Sequence, residues 1–161
     1  FLDSDDLWDS HKLEKQLSFM KKKDIAFSYS TYQFISEDGK KLSNVVFAPK
    51  KMHYHSYLKN TIIGCLTVII DREKTGGFEM PNIRSSHDMA LWLLIMKRGF
   101  SAYGLNENLA KYRVVSSSNT ANKINAANDV WDVFRKVEKL NILYSAFCFI
   151  GYIFNAIKKR L

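Results

Sequence analysis

The sequence predicts an α/β fold followed by C-terminal helices, and three observations carry that reading. Helical spacing and β-rich runs alternate along most of the chain. One run, MALWLLIMKRG, is apolar on all sides, as a helix buried within a layered fold would be. From Asn128 to Leu161 there is almost no breaker except Gly151, so the tail reads as one or two helices.

Taken in order, Leu13, Leu17 and Met20 fall at i, i+4 and i+7 and predict an amphipathic helix over Asp9 to Lys22, capped by Asp9 or Ser10. The run Lys21-Lys22-Lys23 closes it, where cations suit the negative end of the helix dipole. DIAFSYSTYQFI is aromatic and β-branched, and Glu37-Asp38-Gly39-Lys40 follows it as a tight turn. A short helix is expected from His53 to Lys59, and a strand over TIIGCLTVII, Thr61 to Ile70, ended by the turn DREK. Gly76-Gly77 opens a loop that holds Pro81. Gly99 terminates the buried helix, Leu109 to Val115 is a further strand, and SSSNTANK is a polar loop.

The 161 residues, 47% hydrophobic and 14% aromatic, are enough for one packed core, which excludes a disordered tail. Cys65 and Cys148 both sit in apolar runs and read as reduced core thiols, which fits a cytoplasmic location. The net charge of +8 implies a polyanionic partner. The basic residues are scattered, with no recognition helix and no aromatic RNA-binding signature, so no nucleic-acid partner is expected. In the tail, Asn141, Ser145, Cys148, Tyr152 and Asn155 are spaced 4, 3, 4 and 3 apart and form one weakly polar stripe on an apolar cylinder with basic ends. Such a helix either lies on an anionic membrane surface or packs on the domain or on a second copy in a homodimer.

Chemistry concentrates at the start of the chain. Asp3-Ser4-Asp5-Asp6 crowds carboxylates so that each raises the cost of ionising its neighbours, and a divalent metal relieves that cost. Hard oxygen donors suit Mg²⁺ or Mn²⁺. Helix capping is the simpler role for Asp6 or Asp9. An EF-hand loop is excluded, because Leu7 and Trp8 stand where an oxygen ligand and a glycine are required. A haloacid-dehalogenase-like phosphatase would use Asp3 as nucleophile, but Asp6-Leu7 replaces the pair usual after its motif. Neither a GxxxxGK[ST] phosphate loop nor a His-Cys zinc pattern is present, and His53 and His55 cannot share a helical face.

FLDSDDLWDSHKLEKQLSFM resembles the metal-binding segment of family 2 glycosyltransferases, enzymes of the GT-A fold that build bacterial surface polysaccharides. A second block, IRSSHDMALWLLIMKRGFSAYGLNENLAKYRV, looks like that family's acidic motif, buried helix and terminal strand, in the right order. The resemblance implies that residues 1–123 are the C-terminal part of a GT-A catalytic domain, a Rossmann-like nucleotide-diphospho-sugar transferase fold with a mixed sheet. The start at Phe1, with no Met and no leader pattern, is expected of a piece cut within that domain, whose nucleotide-binding half lies upstream. Residues 124–161 then form an amphipathic, basic-flanked helical tail.

Carried onto this chain, the resemblance makes Asp5 a metal ligand, Asp3 a supporting one, and Asp88 the catalytic base. Asp6, Trp92, Arg84 and Arg113 become candidate contacts to the substrate. His87 replaces the first member of the family's usual Glu-Asp pair, and Val115 stands where a His is often found. Beside these, Asp88 could simply cap the helix beginning at Met89, Trp92 could be core, and Arg84 and Arg113 could be structural ion-pair residues. The implied activity is inverting transfer of a sugar from a nucleotide-sugar donor to a saccharide or lipid-linked acceptor, in the cytoplasm and peripherally on the cytoplasmic face of the inner membrane. The rival to an enzyme is a membrane-associated interaction module.

Overall fold

The computed structural model describes residues 1–83, 85–115 and 123–159. Its centre is a six-stranded mixed sheet. In chain order the elements are β1 (Leu7–Trp8), α1 (Lys12–Lys23), β2 (Phe27–Ile35), β3 (Leu42–Val46), β4 (Lys51–Met52), α2 (Tyr54–Tyr57), β5 (Ile69–Ile70), α3 (Arg72–Thr75), α4 (His87–Lys97), β6 (Ala102–Arg113), α5 (Lys123–Asp132) and α6 (Ile142–Lys158). A 3₁₀ turn at Cys65–Thr67 precedes β5, and a π turn at Val133–Val137 joins the last two helices.

The long strands β2 and β6 lie side by side and parallel, and every other pairing is antiparallel. β6 carries β4 on its first residues and β1 on its last, with Leu7 opposite Lys111 and Trp8 opposite Ala110. The acidic segment is therefore tied to the far end of β6. Gly104 admits a close approach on β6: a Cβ there would lie 2.1 Å from the Pro49 carbonyl oxygen. Its own N–H donates to the Lys50 carbonyl at 3.2 Å. The β2–β3 hairpin forms as expected, with Gly39 at φ 74° in its turn.

Helix α4 is the hub of the core. Leu91, Trp92, Leu93 and Ile95 are wholly buried and pack with Phe27, Tyr57, Leu58 and Phe134. It closes as expected, with Gly99 at φ 97°.

Three expectations are corrected. Helix α1 begins at Lys12, after Asp9 has accepted the His11 N–H on Oδ1 (2.9 Å) and the Lys12 N–H on its carbonyl (3.0 Å). Its buried face is Lys12, Gln16 and Met20, whereas Leu13 and Leu17 are exposed. The face is polar because its groups are paired: Lys12 Nζ donates to Gln16 Oε1 at 2.9 Å and lies 4.3 Å from the Trp8 ring centre. Gln16 Nε2 donates in turn to Ser28 Oγ and to the Thr67 carbonyl, both at 2.9 Å.

The run Thr61–Ile70 is mostly not strand. Only Ile69–Ile70 pairs, against Phe27 and Ser28, and the rest wraps the end of the sheet through the 3₁₀ turn. The Asp71–Lys74 turn is a single helical turn with Asp71 as its cap. In the other direction β6 exceeds its expected span, starting at Ala102.

The tail forms helices on the domain. Asn141 caps α6 by accepting the Tyr144 N–H at 2.9 Å. Of the polar stripe, Ser145 and Cys148 are fully buried against the domain. Asn155 Nδ2 donates to the Lys59 carbonyl at 3.0 Å, beside the close passage of Gly151 over Lys59. From Ser145 to Asn155 the weakly polar stripe thus faces the domain, and Leu143, Phe147, Ile150, Phe154 and Ile157 face outward. The polar loop expected at SSSNTANK falls almost wholly outside the described residues.

Candidate active site

The first residues fold into a turn closed by the Asp6 N–H on the Asp3 carbonyl at 3.2 Å. β6 clasps this turn from beneath. The Arg113 N–H donates to Asp6 Oδ1 at 2.8 Å, and the Arg113 side chain donates from Nε to the Asp5 carbonyl at 2.7 Å. The same guanidinium reaches the Ser36 and Glu37 carbonyls at 3.3 and 2.8 Å, joining the acidic turn to the β2–β3 hairpin. Asp6 is buried, and burial, reinforced by Asp5 and Asp3, pushes its carboxyl up to about 6 against the opposing pull of the Arg113 bond. Asp3 and Asp5 are exposed above it.

Asp88 arrives from the other side. Ser86 turns the chain at φ 56° and α4 starts at His87, so Asp88 stands inside the first turn rather than at the cap. Its Oδ1 accepts the Met89 N–H at 2.8 Å. Burial raises its pKa most, the Asp3 charge adds to the rise, and the Met89 bond and His87 lower it.

Asp3 and Asp88 line one cleft of about 910 Å³. Tyr32, Phe34 and Tyr112 form an aromatic cluster on its sheet wall, with ring centres 5.5 to 6.4 Å apart. Cys65, Ser85, Ser86 and His87 continue the wall, and Tyr152, Asn155 and Lys159 of the tail close it. Lys159 Nζ lies 5.2 Å from the Tyr32 ring centre and 5.9 Å from that of Phe34. The Cys65 thiol is pushed up to about 12 by burial and is inert as a nucleophile at neutral pH.

Of the residues singled out in the sequence, the structure brings Asp3 and Asp88 to the cleft, with Asp5 in the same turn as Asp3. Asp6 is buried and spent on holding that turn, which corrects its expected contact with substrate, while Arg113 holds the turn without lining the cleft. Trp92 is also corrected: it is wholly buried, with its ring centre 5.1 Å from that of Phe1 and 5.5 Å from that of Phe27. Arg84 lies outside the described residues. Sequence reasoning missed the aromatic wall. The i, i+2 spacing of Tyr32 and Phe34 on one strand face was its available signal, while the approach of Lys159 had none.

The donor set can be tested against a divalent cation. Among the described residues no three His, Cys, Asp or Glu side chains form a closed cage, and no ion pair neutralises Asp3 or Asp5. Two exposed carboxylates with no ion pair among the described residues are the open kind of site that Mg²⁺ completes with phosphate oxygens and water. Their oxygen donors are of the type such an ion takes.

The acidic turn of the mixed sheet and the helix-borne Asp88 thus border one cleft. Comparison with known proteins finds relatives named as glycosyltransferases. The chain is 52% identical over 161 residues to TuaG of Bacillus subtilis (strain 168), a glycosyltransferase named for teichuronic acid biosynthesis, covering 100% of this chain and 64% of that protein. It is 38% identical over 161 residues to WfgD of Escherichia coli, covering 99% of this chain and 62% of the relative. WfaP of Escherichia coli is 33% identical over 160 residues, with 99% and 62% covered. Both are named UDP-Glc:alpha-D-GlcNAc-diphosphoundecaprenol beta-1,3-glucosyltransferases. The chain spans less than two thirds of the length of these relatives. No protein-family model matches it.

Proposed function

We propose that this chain carries the metal, base and acceptor elements of an inverting family 2 glycosyltransferase of the GT-A fold, acting in bacterial cell-surface polysaccharide synthesis. The observation that carries the reading is the placement of Asp3 and Asp88 on one cleft. The names of the relatives favour sugar transfer over the phosphatase alternative and over a non-enzymatic module.

Asp3 and Asp5 would hold Mg²⁺ or Mn²⁺. When bound, the cation supplies positive charge that offsets the charge developing on the leaving diphosphate. Asp88 accepts the proton of the acceptor hydroxyl as its oxygen bonds to the sugar's anomeric carbon, and the bond from that carbon to the diphosphate breaks in the same step. Its raised pKa and its bond to the Met89 N–H give it a fixed orientation and a basicity above that of an ordinary carboxylate. Attack opposite the leaving group inverts the anomeric carbon and needs no covalent enzyme intermediate. The aromatic wall of Tyr32, Phe34 and Tyr112 offers apolar faces on which a sugar ring packs. By analogy with the two glucosyltransferases, the donor is a nucleotide sugar and the acceptor a lipid-linked saccharide; an acceptor of that kind supports a peripheral position at the cytoplasmic face of the inner membrane.

The test is an assay of the full-length protein with radiolabelled UDP-glucose and other nucleotide sugars on a GlcNAc-diphospholipid acceptor. Transfer that a chelator removes and Mn²⁺ or Mg²⁺ restores is expected. Hydrolysis of phosphomonoesters with no transfer from any nucleotide sugar would contradict the reading.

A further inference from the structure

Helix α6 has two unlike faces, and the described residues cover only one of them. Tyr152, Asn155 and Ala156 turn inward to the cleft, with Lys159 just beyond the helix end. The opposite face carries Leu143, Phe147, Ile150, Phe154 and Ile157, spaced 4, 3, 4 and 3 apart along one side. Leu143 is 81% exposed, Ile150 and Phe154 69% each, and Phe147 and Ile157 57% each. Large apolar side chains in an unbroken row are not a normal solvent surface.

Charge selects what covers the row. Lys139 and Lys158 stand exposed near its two ends, Lys59 Nζ lies 4.6 Å from the Phe147 ring centre, and no Asp or Glu occurs from residue 139 to 161. A second copy is a poor match: parallel packing would set Lys158 against Lys158, antiparallel packing would set it near Lys139, and neither finds an acidic partner. An anionic lipid surface satisfies both features, taking the apolar side chains below its headgroups and the cations at their level. The helix has 17 residues, about 25 Å at 1.5 Å per residue, and no helix among the described residues is long and apolar enough to cross a membrane. It therefore lies in the plane of the leaflet.

We propose that the outer face of α6 is a membrane-docking surface for an anionic leaflet, and that docking sets the mouth of the cleft at headgroup level. One helix serves both tasks, with its inner face lining the cleft and its outer face in lipid. The consequence for catalysis rests on the reading of a lipid-linked acceptor: a saccharide on a lipid diphosphate reaches Asp88 from the bilayer surface without leaving it. The docking itself does not depend on that reading.

The experiment is flotation of the full-length protein, without donor or acceptor, on vesicles of phosphatidylglycerol with phosphatidylethanolamine and on vesicles of phosphatidylcholine. Binding to the anionic vesicles that weakens with salt is expected. The double variant Leu143→Ser/Phe154→Ser, with an unchanged melting temperature, should partition at least about tenfold less, since two large side chains no longer enter hydrocarbon. Its transfer to a water-soluble acceptor should match that of the unaltered protein. Lys139→Glu/Lys158→Glu should lose the preference for anionic lipid. Equal partitioning of the variants and the unaltered protein would overturn the proposal, as would absence of vesicle binding. So would a stable dimer in solution that the Leu143→Ser/Phe154→Ser change dissociates, since the face would then belong to a second copy. Because flotation uses no sugar substrate, a failure of the glycosyl-transfer reading leaves its outcome intact.

Discussion

Asp3 and Asp88 face the same cleft although one begins the chain and the other lies near its middle, and the charge of Asp3 helps hold the Asp88 carboxyl above the usual carboxylate range. That coupling is what the β1–β6 pairing and the Arg113 clasp achieve: they bring the acidic turn to the edge of the sheet, opposite the start of α4.

The first prediction concerns Asp88 in the metal-free protein. Burial is the main cause of its raised pKa and Asp3 a secondary one. A proton therefore leaves Asp88 at higher pH than from an exposed Asp, and Asp3→Asn moves that titration downward. The carboxyl carbon resonance of Asp88, followed by NMR across the acid range, reports both effects. A titration at or below that of the exposed carboxylates would remove the physical basis for a tuned base.

Lys12 supplies a pH effect on stability of the opposite kind. Burial lowers its ammonium pKa from 10.5 to about 8. Below about 8 the group is charged in both states and its burial cost is fully present. As pH rises from about 8 toward 10.5 the folded state sheds its proton first, so the unfolded state binds more protons and stability rises. Measured against Lys12→Met to cancel other titrations, the unfolding free energy of the unaltered protein should gain with pH across that window. A flat difference would mean that Gln16 and Trp8 keep the ammonium fully compensated.

Gly104 is predicted to tolerate no side chain. A Cβ would fall 2.1 Å from the Pro49 carbonyl oxygen, a backbone atom held in place by the Tyr29 hydroxyl, which donates to it at 2.7 Å. Gly104→Ala should cost about 2 kcal/mol or more, in the range of overpacked interiors, visible as a lower urea midpoint with unchanged slope. Gly77, with open space around it, is the control, and Gly77→Ala should change little.

Much of this fold was legible in the sequence because its signals are local. The aromatic strand Phe27–Ile35, its turn at Gly39 and the all-apolar helix ended by Gly99 declare themselves within a dozen residues. Thr61–Ile70 did not, since β-propensity says nothing about whether a partner strand is free to receive it, and β2 offers room for only two residues there. Helix α1 misled for a different reason. Its buried Lys12 and Gln16 are satisfied by Trp8, Ser28 and Thr67, which only tertiary structure brings near. The stripe on α6 was visible, but periodicity marks faces without saying which one the domain covers. At the site, the acidic cluster of Asp3 and Asp5 stood out in the sequence and Asp88 entered through the resemblance, whereas the surroundings of Asp6, Trp92 and Arg113 depended on contacts made across the chain.

The measurement that tests the account most directly is sugar transfer by the full-length Asp88→Asn variant, alongside its binding of UDP with Mn²⁺ by titration calorimetry. Loss of a general base should lower kcat by about 10²–10⁴-fold while nucleotide binding through Asp3 and Asp5 stays within a small factor of that of the unaltered protein. Transfer at an undiminished rate would contradict the assignment of Asp88, and with it the picture of one cleft shared by metal and base.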